Sequence, residues 1–322
     1  MKKTFLNTLM VLFICLTALP VGCSKKGADS KEIKLAFVTN GASDFWIFSR
    51  RGCEKADAEL EDFKVDFRLV SDATSAEQRR IIDDLIVRGV KAIAISPIDP
   101  VNQKPMLDDL CEKITVITCD SDIPDSKRLC YLGTDNVAAG RQAGELIKEV
   151  LPNGGKIMIF VGKKDTQNAK ERIQGIKEAI AGSKVEIIDI RTDNNDKVVA
   201  KSSVSDALVR YPDIACCVGL WNYNGPAILN AITDAGKLGT VKIVCFDEDE
   251  ETLAGVRDGY IYGTVVQQPY EFGYQSIKLL ADIINGDKSK IPPDRLIIVP
   301  TLIIKKDNAA EFIEKVNILL GK

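Results

Sequence analysis

The sequence predicts an α/β protein made of two similar lobes, each a parallel sheet flanked by helices. Three observations carry that expectation. Short apolar runs alternate with stretches of helical periodicity from residue 33 onward. The same rhythm restarts after the turn signal formed by Pro152, Asn153, Gly154 and Gly155. The 322 residues exceed one small domain of roughly 100–150 residues, so two are expected.

In chain order, strands are expected at 33–38, 64–70, 92–95 and 114–118. A helix over 45–60 carries Phe45, Phe48, Ala56 and Leu60. Another over 76–87 carries Ile81, Ile82, Leu85 and Ile86 and is stopped by Gly89. In the second half, strands are expected at 156–161, 185–190, 215–218 and 241–246. Helices fall at 166–181, at 197–210 before Pro212, and at 226–235 before Gly236. The tail adds a strand at 261–267, a helix at 271–284, strand material at 296–299 and 302–304 broken by Pro300, and a last helix from Asp307. This alternation builds Rossmann-like lobes whose sheets are covered on both faces. A further unit after two complete lobes implies that the chain crosses between them more than once, through a multi-strand hinge.

Composition removes several function classes. Lys and Arg number 43 against 46 Asp and Glu, a net charge of −3, so the basic face of a nucleic-acid binder is not expected. There is no histidine, which excludes Ser-His-Asp and Cys-His pairs and the commonest zinc ligand. No metal and no cofactor are expected. Asp193, Asn194, Asn195 and Asp196 hint at a calcium loop, but Val204 stands at its twelfth position, where a carboxylate is needed, so turn chemistry is preferred.

Residues 1–22 read as an export signal. Lys2 and Lys3 precede an apolar centre at 9–19 that Pro20 and Gly22 interrupt before the roughly 20 residues a membrane span requires. The segment 19–23 resembles a bacterial lipobox, in which Cys23 is lipidated, although Pro20 stands where leucine is usual. Residues 23–32 are small and polar, as a tether should be. Seven of the nine cysteines lie beyond this region, and none has C-x-x-C spacing. Buried free thiols are expected, with a Cys111–Cys130 bridge left open.

In open α/β sheets, ligands bind beyond the carboxyl ends of the strands. Those ends are followed by Asn40, Phe45 and Trp46; by Asp120; by Asn168; by Asn195; by Trp221 and Asn222; by Asp247; and by Gln267. Both tryptophans of the chain fall in these stretches, one per lobe. A sugar hydroxyl donates and accepts hydrogen bonds, and carboxylates, amides and guanidinium groups engage neighbouring hydroxyls in pairs. The C–H faces of a sugar ring pack on aromatic rings. The joint placement therefore points to a small polyol. The acids at 248–251 are read instead as helix-start residues that favour the dipole, with only Asp247 facing a ligand.

Over residues 31–306 the chain resembles the ribose- and galactose-binding branch of the bacterial periplasmic binding proteins, type I. The carrying segments are Phe45 with Trp46; Val87 to Gly89; Thr118 to Asp122; Leu132 to Asn136 with Ala139 and Gly140; Ala169 to Gly175; Phe246 with Asp247; and Gln267 to Pro269. The resemblance implies stacking by Phe45 and Trp46, with Asn40 in the same loop reaching a hydroxyl. Asp120 would hold a pair of hydroxyls. Arg172 would bind ring or hydroxyl oxygens, with Asn168 as a helper. Asn195, Trp221, Asn222, Asp247 and Gln267 would complete the ligand ring. Two departures bear on ribose as the ligand: Ser121 replaces an arginine, and Asn195 an aromatic.

The resemblance places crossings near residues 134–135, 267 and 299. It implies lobes of 33–134 with 268–298 and of 135–267 with 299–322. The expected protein is an exported, lipid-anchored monomer of the cell envelope or periplasm. It captures a monosaccharide or polyol and delivers it to the membrane subunits of an ABC importer. Its contact with the membrane is through the N-terminal lipid alone. Two other readings stay open: a sensory protein presenting its ligand to a receptor or kinase, and a glycoside-processing enzyme using Asp120 and Asp247. Repressor-type relatives carry a DNA-binding helix pair where this chain has its export signal.

Overall fold

The computed structural model describes residues 32–322. The signal at 1–22, the lipidation site Cys23 and all of the 23–32 tether except its last residue lie outside the described residues.

The first half runs β1 (Ile33–Val38), α1 (Phe45–Glu59), β2 (Phe63–Arg68), α2 (Ser75–Val87), β3 (Ala92–Ile95), α3 (Pro100–Cys111), β4 (Thr115–Cys119) and β5 (Tyr131–Gly133). The second runs α4 (Asn136–Val150), β6 (Gly155–Val161), α5 (Gln167–Ile180), β7 (Val185–Thr192), α6 (Lys197–Arg210), β8 (Ile214–Gly219), α7 (Asn224–Asp234), β9 (Lys242–Phe246), α8 (Glu250–Asp258) and β10 (Gly263–Val266). The tail is α9 (Pro269–Ile284), β11 (Leu296–Ile298), β12 (Leu302–Lys305) and α10 (Ala309–Leu320).

Two six-stranded sheets result, ordered β11-β5-β4-β3-β1-β2 and β12-β10-β9-β8-β6-β7. Each strand of one sheet has a positional counterpart in the other, so β4 corresponds to β9 and β5 to β10. Alternate residues of a central strand feed opposite faces, as the two-residue period requires. In β1, Leu35 and Phe37 join one apolar cluster while Ala36 and Val38 join another. In β6, Met158 and Phe160 separate from Ile157, Ile159 and Val161 in the same way. All seven described cysteines are free, Cys111 and Cys130 included, and burial raises their thiol pKa values.

The chain passes between the sheets three times, after β5, after β10 and after β11. The expected parallel sheets are found, with one departure at an edge: β12 pairs antiparallel with β10. The reason is the short link 299–301. It leaves the carboxyl end of β11, which is parallel to β5. It therefore delivers the chain to the carboxyl-end rim of the second sheet, and the next strand must run back.

Two helix pairs meet at glycines. A Cβ on Gly140 would lie 2.2 Å from the Arg172 carbonyl oxygen, and one on Gly175 would lie 2.1 Å from that of Val137. The α1–α9 pair repeats the device with Gly52 against the Tyr270 carbonyl and Gly273 against that of Ser49. These close approaches hold α4 against α5, and so hold the arginine that α5 carries.

Candidate functional site

Asp120 follows β4 and Asp247 follows β9, the counterpart strand. Both acids are buried. Both adopt left-handed backbone conformations, at φ 62° and 70°, where a non-glycine residue is uncommon. The backbone N–H of each donates to the neighbouring strand, Asp120 to the Leu132 carbonyl and Asp247 to that of Val265. The two sheets thus present matched carboxylates at equivalent ends.

Partners hold each acid in place. Asp120 Oδ2 accepts from Ser96 Oγ at 2.9 Å and from Asn40 Nδ2 at 3.3 Å. Asp247 Oδ1 accepts from Gln267 Nε2 at 2.9 Å, and Gln267 Oε1 accepts from Thr134 Oγ1 at 2.9 Å. Gln267 therefore ties Asp247 to the first crossing segment. Arg172, buried on α5, adds a guanidinium whose charge acts on both acids. Its Nε donates to Asn136 Oδ1 at 3.0 Å and its Nη1 to the Leu220 carbonyl at 2.6 Å. Its guanidinium carbon lies 4.5 Å from the centre of the Phe246 ring.

Burial pushes the Asp120 carboxyl up to about 6, with the charge of Asp247 adding to the rise, while Ser96, Arg172 and Asn40 oppose it. Burial raises Asp247 also, against the pull of Arg172, Gln267 and the Asn222 main chain. Each acid therefore lies within electrostatic range of the Arg172 guanidinium, and Asp120 within range of Asp247.

Among the other sequence-predicted residues, Phe45 and Trp46 occupy the first turn of α1 and join the core of the first sheet. Trp46 is 2% exposed, with ring centres 5.9 Å from Phe37 and 5.1 Å from Phe45. Asn168 bonds locally: its Oδ1 accepts from Thr166 Oγ1 and from the Ala169 N–H. Asn195 is exposed and left-handed, at φ 68°. Trp221 and Asn222 are half-buried after β8.

Three further residues belong to this region. Asn136 orients Arg172 and lies in a segment that already carried the family resemblance. Asp193, read from sequence as turn chemistry, is 3% exposed. It accepts from Tyr223 Oη at 2.5 Å, from Asn224 Nδ2 at 3.1 Å and from the Asn195 N–H at 2.9 Å. Glu248 corrects the expectation for 248–251. Asp249 caps α8 and Glu250 begins it, while Glu248 is buried with neither carboxylate oxygen partnered. Burial, then the neighbouring Asp247, raise its pKa well above the usual range. Its position one residue before the cap turns it inward; only the residues after it gain the exposed first turn.

Comparisons with known proteins agree on one family. The family model of the periplasmic binding protein domain matches residues 35–288. The ribose import binding protein of Salmonella typhimurium is 27% identical over 280 residues, covering 84% of this chain and 92% of that one. A crystal structure of an ABC transporter solute binding protein from Burkholderia graminis, in complex with D-arabinose, superposes with a TM-score of 0.81. It is 29% identical, over 88% of this chain and 98% of that one. A glucose-galactose binding protein from Geobacillus stearothermophilus gives a TM-score of 0.80 at 25% identity, over 86% and 99% of the two chains.

Proposed function

The chain belongs to the periplasmic binding protein family, and from that premise we propose that it is an extracytoplasmic solute-binding protein for a monosaccharide or related polyol. The observation that carries this reading is the pair of buried acids at equivalent strand ends, Asp120 and Asp247, with the buried Arg172 guanidinium set over Phe246, the residue before Asp247. Two acceptor carboxylates and a donor guanidinium match the paired hydroxyls of a sugar. Asn40 supports Asp120, and Gln267 supports Asp247. Asn168, Asn195, Trp221 and Asn222 form the surrounding rim on the second lobe, with Phe45 and Trp46 behind the rim of the first.

We assign 33–134 with 268–298 to one lobe and 135–267 with 299–322 to the other. Hinge closure over the ligand excludes water from the site. The liganded monomer then docks on the membrane subunits of an ABC importer. Export through residues 1–22 and lipidation of Cys23 keep it at the cell envelope.

A thermal-shift screen of the mature protein tests this reading with D-ribose, D-arabinose, D-galactose, D-glucose and D-fucose, followed by polyols. A ligand at a hundred times its Kd stabilises by about 2.7 kcal/mol, or ~5 °C in Tm. No shift with any sugar or polyol would refute the reading, as would product formation on long incubation.

A further inference from the structure

Among the described residues, the second lobe leaves two buried N–H donors without acceptors, Nη2 of Arg172 and Nε1 of Trp221. Neither group can accept a hydrogen bond, and neither can rotate its N–H as a hydroxyl can. They are neighbours in the fold, because Arg172 Nη1 donates to the carbonyl of Leu220, the residue before the tryptophan. The residue after it, Asn222, brings its main chain to Asp247. Residues 220–222 therefore run past the guanidinium and the carboxylate in turn.

The indole is held from several sides. Its own backbone N–H donates to Asn224 Oδ1 at 3.1 Å, and Asn224 Nδ2 donates to the buried Asp193. Tyr223, which donates to the same carboxylate, lies edge-on to the indole at 6.4 Å between ring centres. A Cβ on Gly162 would sit 2.1 Å from Trp221 Cζ3 and 2.5 Å from Cε3. That side of the benzene ring therefore rests on the glycine backbone, and Nε1 occupies the opposite edge of the indole.

We infer that Trp221 serves the bound sugar as a hydrogen-bond donor through Nε1, not as an aromatic wall alone, and that Asp193 is the residue that positions it. The inference rests on the sugar-binding reading above and deepens it. Trp221 Nε1–H and Arg172 Nη2–H address acceptor oxygens of the ligand, its hydroxyls or ring oxygen. A sugar lacking the oxygen opposite the indole leaves a buried donor unmet and binds more weakly.

The test uses the mature protein and whichever of D-ribose, D-arabinose, D-galactose, D-glucose or D-fucose binds it by calorimetry. Trp221→Phe keeps an aromatic face and removes the donor, and affinity is expected to fall by roughly tenfold or more. The chain has two tryptophans, so a nitrogen-15 spectrum carries two indole N–H signals. The one absent from Trp221→Phe belongs to Trp221, and added sugar should shift it and protect it from exchange. Asp193→Asn should move that signal in the free protein while leaving that of Trp46 in place. Sugar binding with the Trp221 signal unmoved, or Trp221→Phe binding within threefold of the parent, overturns the inference and leaves the function intact. If Trp221→Phe fails to fold, Trp46→Phe assigns the two signals instead, and the response of the parent's Trp221 signal decides. Failure of every sugar to bind the parent overturns the function itself, and this inference with it.

Discussion

Lowering the pH should weaken sugar binding through Asp120, and the structure sets the size of the effect. The carboxyl is 7% exposed, and burial pushes it up to about 6 in the empty site. As an ion it accepts from Ser96 and Asn40 and retains lone pairs for ligand hydroxyls. As a neutral acid it has lost one of those acceptor sites to a proton. Binding that selects the ion must remove the proton first. Apparent affinity should therefore be unchanged near pH 7.5 and fall about tenfold by pH 5, one unit below the titration. Asp247, also raised by burial, steepens the fall. Calorimetry at pH 5, 6 and 7.5, in two buffers of different ionisation enthalpy, reads both the affinity and the proton released. Asp120→Asn should bind more weakly at neutral pH and lose its share of the slope. An affinity that is flat from pH 7.5 to 5, with no proton release, would refute the reasoning.

Other outcomes follow from single sites. Gly140→Ala pushes a Cβ to 2.2 Å from the Arg172 carbonyl and must separate α4 from α5, lowering stability by about 2–3 kcal/mol in urea unfolding and weakening sugar binding together. Glu248→Gln should stabilise the protein at neutral pH. The raised folded-state pKa of Glu248 means that its stabilising contribution is complete below the unfolded-state value and is lost as pH rises toward the folded one. The gain on substitution should therefore be present at pH 7 and fade as the pH falls toward about 4, as thermal melts at the two pH values will show. Arg128→Met removes both guanidinium bonds to the half-buried carboxylate of Asp122 and leaves that charge only the Thr118 hydroxyl and the Ile123 N–H as donors. A loss of about 2–3 kcal/mol is expected, below the roughly 3–5 kcal/mol of a wholly unpaired buried charge, recovered in large part by also changing Asp122 to Asn, and denaturation of the single and double variants measures both.

The strands were legible because a central parallel strand is apolar on both faces, and that pattern survives in any one sequence. β1 and β3 fall at the predicted residues. Two helices are weakly signalled by the sequence, each for a local reason. In α4, Gly140 and Gly144 lower helix propensity, yet they are what permits the close approach to α5. In α3, Pro105 interrupts the helical pattern inside a helix that nonetheless forms. β5 has three residues, too few for any period to show.

The candidate site divides along the same line. Acids and amides at strand ends can be located one strand at a time, which is why Asp120, Asp247 and Gln267 were identifiable. Their matched positions in two sheets were not, because strand order depends on pairing between distant segments. Nor could Glu248 be told from the exposed acids that follow it, since one residue separates a buried side chain from the first helical turn.

Local periodicity and composition by themselves determined the α/β class, the two-lobed plan, the repeated crossing and the residue types at the strand ends. Tertiary packing decided the reversed edge strand, the placing of the Arg172 guanidinium over Phe246 beside Asp247, and which donors were left without partners. The physical reason is that periodicity reports how one segment divides its faces between core and solvent. Charge coupling and hydrogen-bond satisfaction depend on which distant groups finally come within reach.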